Sequence, residues 1–189
     1  MKRIVQGVSV AIALFPALLT GFGRIESIFT IFAHLYALAP GILGDYLRGG
    51  WYKLTLEECA LDSRIQFGSF FAHPQARVGR GVYIGPYCVL GRTAIGDGTH
   101  LASGVQILSG RRQHTRDAAG RIQDADVADF TTVAIGADCW IGAGAIVMAD
   151  VGTGSTVGAG SVVVKPVPAG STAVGSPARV VEPACDVSS

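Results

Sequence analysis

His114 stands in the most charged stretch of the chain, Gly110 to Asp129. That stretch reads Gly-Arg-Arg-Gln-His-Thr-Arg-Asp-Ala-Ala-Gly-Arg-Ile-Gln-Asp-Ala-Asp-Val-Ala-Asp. An unperturbed imidazole titrates near pH ~6.5, so at neutral pH it can take a proton from an attacking group and return it to a leaving group. A solvated loop without a role is the plain alternative for so polar a segment. His100, His73 and His34 have weaker contexts: His100 sits beside an aliphatic residue, His73 precedes Pro74, and His34 lies in an apolar run. Cys59, Cys88, Cys139 and Cys185 form no CxxC pair and no metal-ligand spacing, which suits free thiols in a reducing compartment.

The elements around His114 follow a rhythm of six. An aliphatic residue followed by glycine or another small residue recurs as Val78-Gly79, Ile84-Gly85, Leu90-Gly91, Ile95-Gly96, Leu101-Ala102 and Ile107. The pattern resumes at Ile135-Gly136, Ile141-Gly142 and Val147, then at Val151-Gly152, Val157-Gly158 and Val163. A helix repeats its apolar face about every 3.6 residues and a strand about every two, so period six fits neither. It fits a solenoid of short parallel strands, each hexad forming one flat side of a coil. Glycine is expected where the backbone turns and a Cβ would be costly. Cys88, Thr99, Cys139, Ala145, Ser155 and Ser161 hold a position that must stay small at the corners. The charged stretch around His114 cannot lie inside such a prism and must project from it; excursions of this kind are often functional.

The run Ile135-Gly-Ala-Asp-Cys-Trp-Ile-Gly-Ala-Gly-Ala-Ile-Val, with Val157-Gly-Ala-Gly-Ser-Val-Val-Val-Lys-Pro-Val-Pro and Ala173-Val-Gly-Ser-Pro-Ala-Arg, resembles the hexapeptide-repeat acyltransferases. The likeness is to the xenobiotic, galactoside and maltose acetyltransferases and covers roughly residues 65–181. The stretch Met148 to Thr156 is about two residues shorter than in those relatives. The resemblance implies an all-β fold, a single-stranded left-handed parallel β-helix, here carrying an N-terminal α-helical hairpin. It implies acetyl-CoA as acyl donor, no metal, and a homotrimer with a coenzyme groove between neighbouring solenoids. Carried over by position, His114 is the general base and the Ala143 N–H receives the oxyanion. Trp140, Gly142, Ala143, Ala159 and Gly160 line the groove, and Lys165 and Arg179 meet phosphates. Repeat grammar alone also explains Gly142, Ala159 and Gly160, and surface charge also explains Lys165 and Arg179. The zinc site known on this kind of solenoid is not expected. His73, His100 and His114 lie 27 and 14 residues apart and do not stack at a coil period of about eighteen.

Residues 1–44 are foreign to the soluble relatives and closer to enzymes that decorate envelope polysaccharides. Ile4 to Gly23 and Ser27 to Gly44 are uncharged runs of twenty and eighteen residues, each with one proline. Both approach the ~20 residues that a spanning helix needs. A hairpin that spans or dips into a membrane is expected, with a buried helical pair, an oligomer contact or a cleaved signal as alternatives. Residues 1–53 carry five basic and two acidic side chains. Lys2, Arg3, Arg48 and Lys53 flank the hairpin and orient it to the cytoplasmic side of a bacterial inner membrane. Residues 45–70 read as a connector with a short helix about 54–60, residues 71–181 as the β-helix with its excursion at 110–130, and 182–189 as a tail. A net charge of +1 gives no reason to expect nucleic acid as a partner.

Together these expectations describe an O-acetyltransferase that moves acetyl from acetyl-CoA to a hydroxyl of a cell-envelope saccharide or lipid-linked sugar. N-acetylation of an amino sugar or small xenobiotic is the second reading, and a non-catalytic β-helix scaffold at the membrane the third. A scaffold has no need of His114, Lys165 and Arg179 together.

Overall fold

Residues 2–110, 116–124 and 130–181 are described by a computed structural model. Their backbone winds into a parallel β-solenoid of about six turns preceded by a helical layer. Three sheets form the faces of the prism. The first stacks β1 (Glu58–Cys59), β4 (Arg77–Val78), β7 (Thr93–Ile95) and β10 (Val133–Ile135). The second stacks β2 (Arg64–Ile65), β5 (Tyr83–Ile84), β8 (His100–Leu101), β11 (Trp140–Ile141), β13 (Thr156–Val157), β15 (Thr172–Gly175) and β16 (Ala178–Val181). The third stacks β3 (Phe70–Phe71), β6 (Val89–Leu90), β9 (Gln106–Ile107), β12 (Ile146–Val147) and β14 (Val162–Val163). Only β16 runs antiparallel to its neighbour, folding back on β15 at the end of the second sheet.

Register turns the period of six into columns. Ile65, Ile84, Leu101, Ile141, Val157 and Ala173 stack as Cα partners, and so do Phe71, Leu90, Ile107, Val147 and Val163. All are buried. Each large member adds roughly 1.5–3 kcal/mol relative to exposure.

The small corner position carries more than size. Ser69 Oγ donates to Gly85 O at 2.6 Å and accepts from Cys88 N at 2.8 Å. Thr99 repeats this with Gly136 O and Cys139 N, and Ser155 with Pro168 O and Ser171 N. Where the residue is cysteine, the thiol donates in the same way: Cys88 to Ala102 O at 3.2 Å and Cys139 to Gly152 O at 3.1 Å. A buried hydroxyl or thiol thus satisfies backbone groups of the next coil that have no water to turn to.

The glycines that follow the aliphatic residue stand where a Cβ is costly, through close approach and not through backbone strain. Gly136, Gly142 and Gly152 have ordinary φ; a Cβ there would fall against the backbone of Thr153, Ala159 and Ala169 in the next coil. Close approach between coils selects them. Positive φ belongs to the site two residues later, at Gly98, Gly154 and also Tyr87 and Asp138.

The N-terminal half of the molecule corrects the reading of 45–70 as a connector. Three helices are present, α1 (Lys2–Leu19), α2 (Glu26–Ala37) and α3 (Gly41–Thr55), and the solenoid starts at Glu58. No short helix follows Leu54; the chain enters β1 at once. The first coil keeps the period of six in Cys59, Ile65 and Phe71, all buried. It is followed by Ala60, Gln66 and Ala72 where glycine marks the later coils.

The helix α3 closes the open end of the solenoid core. Tyr52 packs edge-on against Phe71 with centroids 4.9 Å apart, and its hydroxyl accepts from Phe71 N at 3.2 Å. Trp51 stacks between Phe29 and Tyr36 of α2. Arg48, expected to flank a membrane segment, is instead 0% exposed. Its guanidinium donates to Ile65 O (2.7 Å), Tyr36 O (3.0 Å), Ala37 O (3.3 Å) and Ala39 O (2.7 Å), and pairs with Asp45 at 2.7 Å. One side chain therefore caps the end of α2 and pins both helices to the first coil.

Candidate functional site

The excursion leaves the solenoid after β9 and returns at β10, at the corner between the third and first sheets. His114 lies outside the described residues. The described part, Arg116–Asp124, is a small antiparallel turn bridged between Arg116 and Ile122. The Asp117 carboxylate closes it, accepting from Ala119 N (2.9 Å), Arg121 N (3.0 Å) and Arg121 Nε (2.8 Å). The Arg121 backbone N–H, then the Arg121 side chain and the Ala119 N–H, hold that carboxyl below the usual range.

Where the excursion rejoins the solenoid, Phe130 is clamped. Its carbonyl accepts from Arg92 Nη1 at 3.3 Å, the Arg92 guanidinium lies 5.7 Å from its ring centroid, and the His73 ring meets it edge-on at 5.1 Å. Thr131 N donates to Ser109 O at 3.2 Å. His73 also faces Glu26 of α2, at 3.9 Å, too long for a hydrogen bond. Burial lowers its imidazole pKa, Glu26 opposes the shift and Arg92 adds to it. The sequence reading missed this clamp, whose only signal was a lone aromatic ending a charged stretch.

Five of the expected groove residues come together on one edge. Trp140 points outward from β11 and is 51% exposed. Gly142 and Ala143 turn the corner between the second and third sheets; Gly142 N donates to Val157 O at 2.8 Å and Ala143 O accepts from Gly160 N at 2.8 Å. Ala159 and Gly160 repeat that corner one coil later. Ala143 is exposed, and its N–H donates to no described residue; the same holds for Ala159, so the free donor is a property of the corner.

Lys165 and Arg179 follow later in the chain. Lys165 is exposed after β14, at the corner from which the excursion leaves two coils earlier. Arg179 is exposed on β16 opposite Val174, its Nη1 3.2 Å from Ala178 O. Lys165 is at a different corner from Trp140, while Arg179 lies on the second sheet with Trp140, beyond β13 and β15.

Trp140 ends an aromatic ladder on the outer face of the second sheet. Tyr83 and His100 lie 5.7 Å apart between ring centroids, and His100 and Trp140 lie 6.3 Å apart. Their shared signal is phase, since each precedes an inward aliphatic residue of the same column. His100, whose direction the sequence left open, points to solvent; His34 packs edge-on against Phe70 at 4.5 Å.

Among the described residues no group of three His, Cys, Asp or Glu is placed to hold a metal ion. Burial pushes the Cys59 thiol up to about 12 and raises that of Cys88, so these two thiols stay protonated and poorly nucleophilic. Cys185 lies outside the described residues.

No family model matches the chain, and no curated protein matches it. Solved structures do. A hexapeptide-repeat acetyltransferase from Vibrio cholerae O1 biovar eltor, complexed with acetyl coenzyme A, superposes with a TM-score of 0.69 at 22% identity over 84% of this chain and 88% of its own. A maltose O-acetyltransferase from Clostridium difficile 630 gives 0.67 at 24% identity over 87% of each. A galactoside acetyltransferase in complex with coenzyme A gives 0.65 at 19% identity over 87% and 81%. The solenoid of this chain thus has the left-handed β-helix fold of hexapeptide-repeat acetyltransferases.

Proposed function

We propose that the protein is an acetyl-CoA-dependent O-acetyltransferase acting on a hydroxyl of a cell-envelope saccharide or lipid-linked sugar. It works as a homotrimer on the cytoplasmic face of a bacterial inner membrane, held there through its helical layer. The observation that carries this reading is the placement of the excursion. A regular solenoid with the acetyltransferase fold is interrupted once, after β9, by the charged segment that holds His114. The coil that follows presents Trp140 and the free N–H of Ala143.

The chemistry requires no covalent enzyme intermediate. His114 takes the proton of the acceptor O–H, and the oxygen attacks the thioester carbonyl carbon. The carbonyl oxygen becomes an oxyanion, which the Ala143 N–H stabilises. The tetrahedral centre collapses, the C–S bond breaks, and the proton passes from His114 to the coenzyme thiolate. Products are the acetyl ester and free coenzyme A.

Coenzyme A is long and strongly anionic. Lys165 meets phosphate as a point charge and Arg179 as a two-pronged donor. Trp140, Gly142, Ala159 and Gly160 form one wall of the groove, and a second copy closes it.

The test is release of coenzyme A thiol from acetyl-CoA on addition of envelope glycan acceptors to the purified full chain. His114→Ala is expected to lose at least about 100-fold in rate. An unchanged rate in that variant removes His114 from the mechanism. No release with any hydroxyl or amino-sugar acceptor leaves the scaffold reading.

A further inference from the structure

The helical layer is tied to the solenoid at every turn. Near the start of α1, Gln6 Nε2 donates to Leu61 O at 2.5 Å. Gly23, in the turn between α1 and α2, is pressed so closely on Thr55 that a Cβ would strike its carbonyl, with Pro74 also at contact distance. Glu26 at the head of α2 accepts from Gln75 Nε2 at 2.9 Å. At the other end of α2, Gly68 N donates to Ala37 O at 2.8 Å, and Arg48 and Asp45 fasten the turn into α3. A spanning hairpin must carry the α1–α2 turn to the far side of a bilayer. Here that turn rests on the first coil.

The outward surface of the layer is nevertheless apolar. Along α1, Ile4, Val8, Ile12, Phe15 and Leu19 form an exposed stripe at steps of four, four, three and four residues, with Phe15 70% exposed. The opposite stripe, Ser9, Ala13, Pro16 and Ala17, is buried. The helix α2 repeats the division, with Ile31, Leu35 and Leu38 exposed against buried Phe29, Ala33 and Ala37. In α1 an 18-residue window of mean hydropathy 1.5 is only 22% buried, where a soluble core helix is mostly buried.

Charge chooses among the possible covers. Lys2, Arg3, Arg24 and Lys53 are exposed. The two acids of residues 1–53 are engaged within the fold, Glu26 by Gln75 and Asp45 by Arg48, Gln66 and Arg64. Two copies packed face to face through these helices would set their cations against like charges. An anionic lipid surface complements them, and an amphipathic helix with a basic rim lies in its interface.

We propose that α1 and α2 lie flat in the headgroup region of an anionic bilayer as an in-plane platform, and that no part of the chain crosses it. This rests on the membrane association in the proposed function and replaces the spanning hairpin that the apolar runs suggest. The platform bears the solenoid on its other side, so the acceptor is reached from the cytoplasmic leaflet.

The test uses the full chain added from outside to sealed phosphatidylcholine vesicles containing about one third phosphatidylglycerol. Flotation with these vesicles is expected, at least about 10-fold weaker with neutral vesicles or with Phe15→Asp, whose exposed position leaves the melting temperature unchanged. Ile31→Asp on α2 is the second variant and weakens flotation likewise. In a Cys185→Ser background, Arg24→Cys is expected to react with a membrane-impermeant maleimide before detergent is added. Protection of that cysteine until detergent is present overturns the in-plane platform in favour of a spanning hairpin and leaves membrane association standing. Absence of flotation overturns both, and dissociation of an oligomer by Phe15→Asp then assigns the stripe to a second copy. Thiol release from acetyl-CoA, measured without vesicles, reads the transfer chemistry independently of either outcome.

Discussion

The His73 ring meets the edge of Phe130 with centroids 5.1 Å apart and planes at 65°. His73 belongs to the first coil and Phe130 ends the excursion, while Arg92 holds Phe130 from the coil between. Phe130, where that excursion rejoins the solenoid, is therefore held by two coils at once. Phe130→Ala removes the clamp while leaving every inward column intact. It is expected to lower kcat/KM for acetyl transfer by about 10- to 100-fold, the size of effect that misplacing a catalytic group produces. The melting temperature should stay within a few degrees, and Phe130→Tyr should restore most of the rate. Full activity in Phe130→Ala would mean that the clamp does not position the excursion.

The same histidine gives the fold a pH dependence. Burial lowers its pKa in the folded state, so the unfolded chain binds the proton more readily. The stability linked to His73 is complete above pH ~6.5, the ordinary imidazole value. It declines as pH falls from there through the lower folded value, and changes no further below it. His73→Asn is expected to flatten that part of the curve, measured as melting temperature between pH 7.5 and 5. A curve of unchanged slope in the variant assigns the dependence to other groups.

Arg48 is the most consequential buried charge. Its loss leaves Asp45 without its closest partner and strips the carbonyls of Ile65, Tyr36, Ala37 and Ala39 of a donor. Arg48→Met keeps the length and is expected to cost about 3–5 kcal/mol, the range for breaking one partner out of a buried ion pair. Arg48→Lys should recover little, because a single ammonium cannot reach carbonyls on three segments in the guanidinium's planar arrangement. Differential scanning calorimetry reads the loss. Limited proteolysis locates it, with new cleavage expected between α2 and α3.

The columns of the solenoid were legible from sequence because Ile84, Leu101, Ile141 and Val157 each announce the phase with a small residue after them. The first coil was hidden because Cys59 and Phe71 are not aliphatic and Ile65 is followed by Gln66 instead of a small residue. Arg48 misled for a physical reason. A cation beside apolar runs reads as a membrane flank, and nothing local announces that four carbonyls and Asp45 converge on it through the fold. In the candidate site, Trp140, Ala143 and Ala159 were named through the family resemblance, and the structure sets Ala143 and Ala159 at one corner of successive coils. The Phe130 clamp was not, since His73, Arg92 and Phe130 come from three separate turns.

The two glycine classes of the repeat separate packing from backbone strain. Gly136 has ordinary φ, and a Cβ there would press on the Thr153 backbone, which cannot move without parting two coils. Gly154 has φ +70 with nothing within 4 Å of its absent Cβ. Gly136→Ala is expected to destabilise by about 1–3 kcal/mol through overpacking. Gly154→Ala should cost about 1–2 kcal/mol through left-handed strain alone. Asparagine tells them apart, because its side chain tolerates the left-handed region. Asp138 occupies the position equivalent to Gly154 one coil earlier, at φ +53. Gly154→Asn is therefore expected to recover most of the stability lost in Gly154→Ala, whereas Gly136→Asn should fall below Gly136→Ala because it adds bulk to a closed gap. Melting temperatures of the four variants decide the matter. Equal losses for Gly136→Ala and Gly136→Asn would show that the coils separate freely, and that close approach is not what keeps glycine at the repeat's second position.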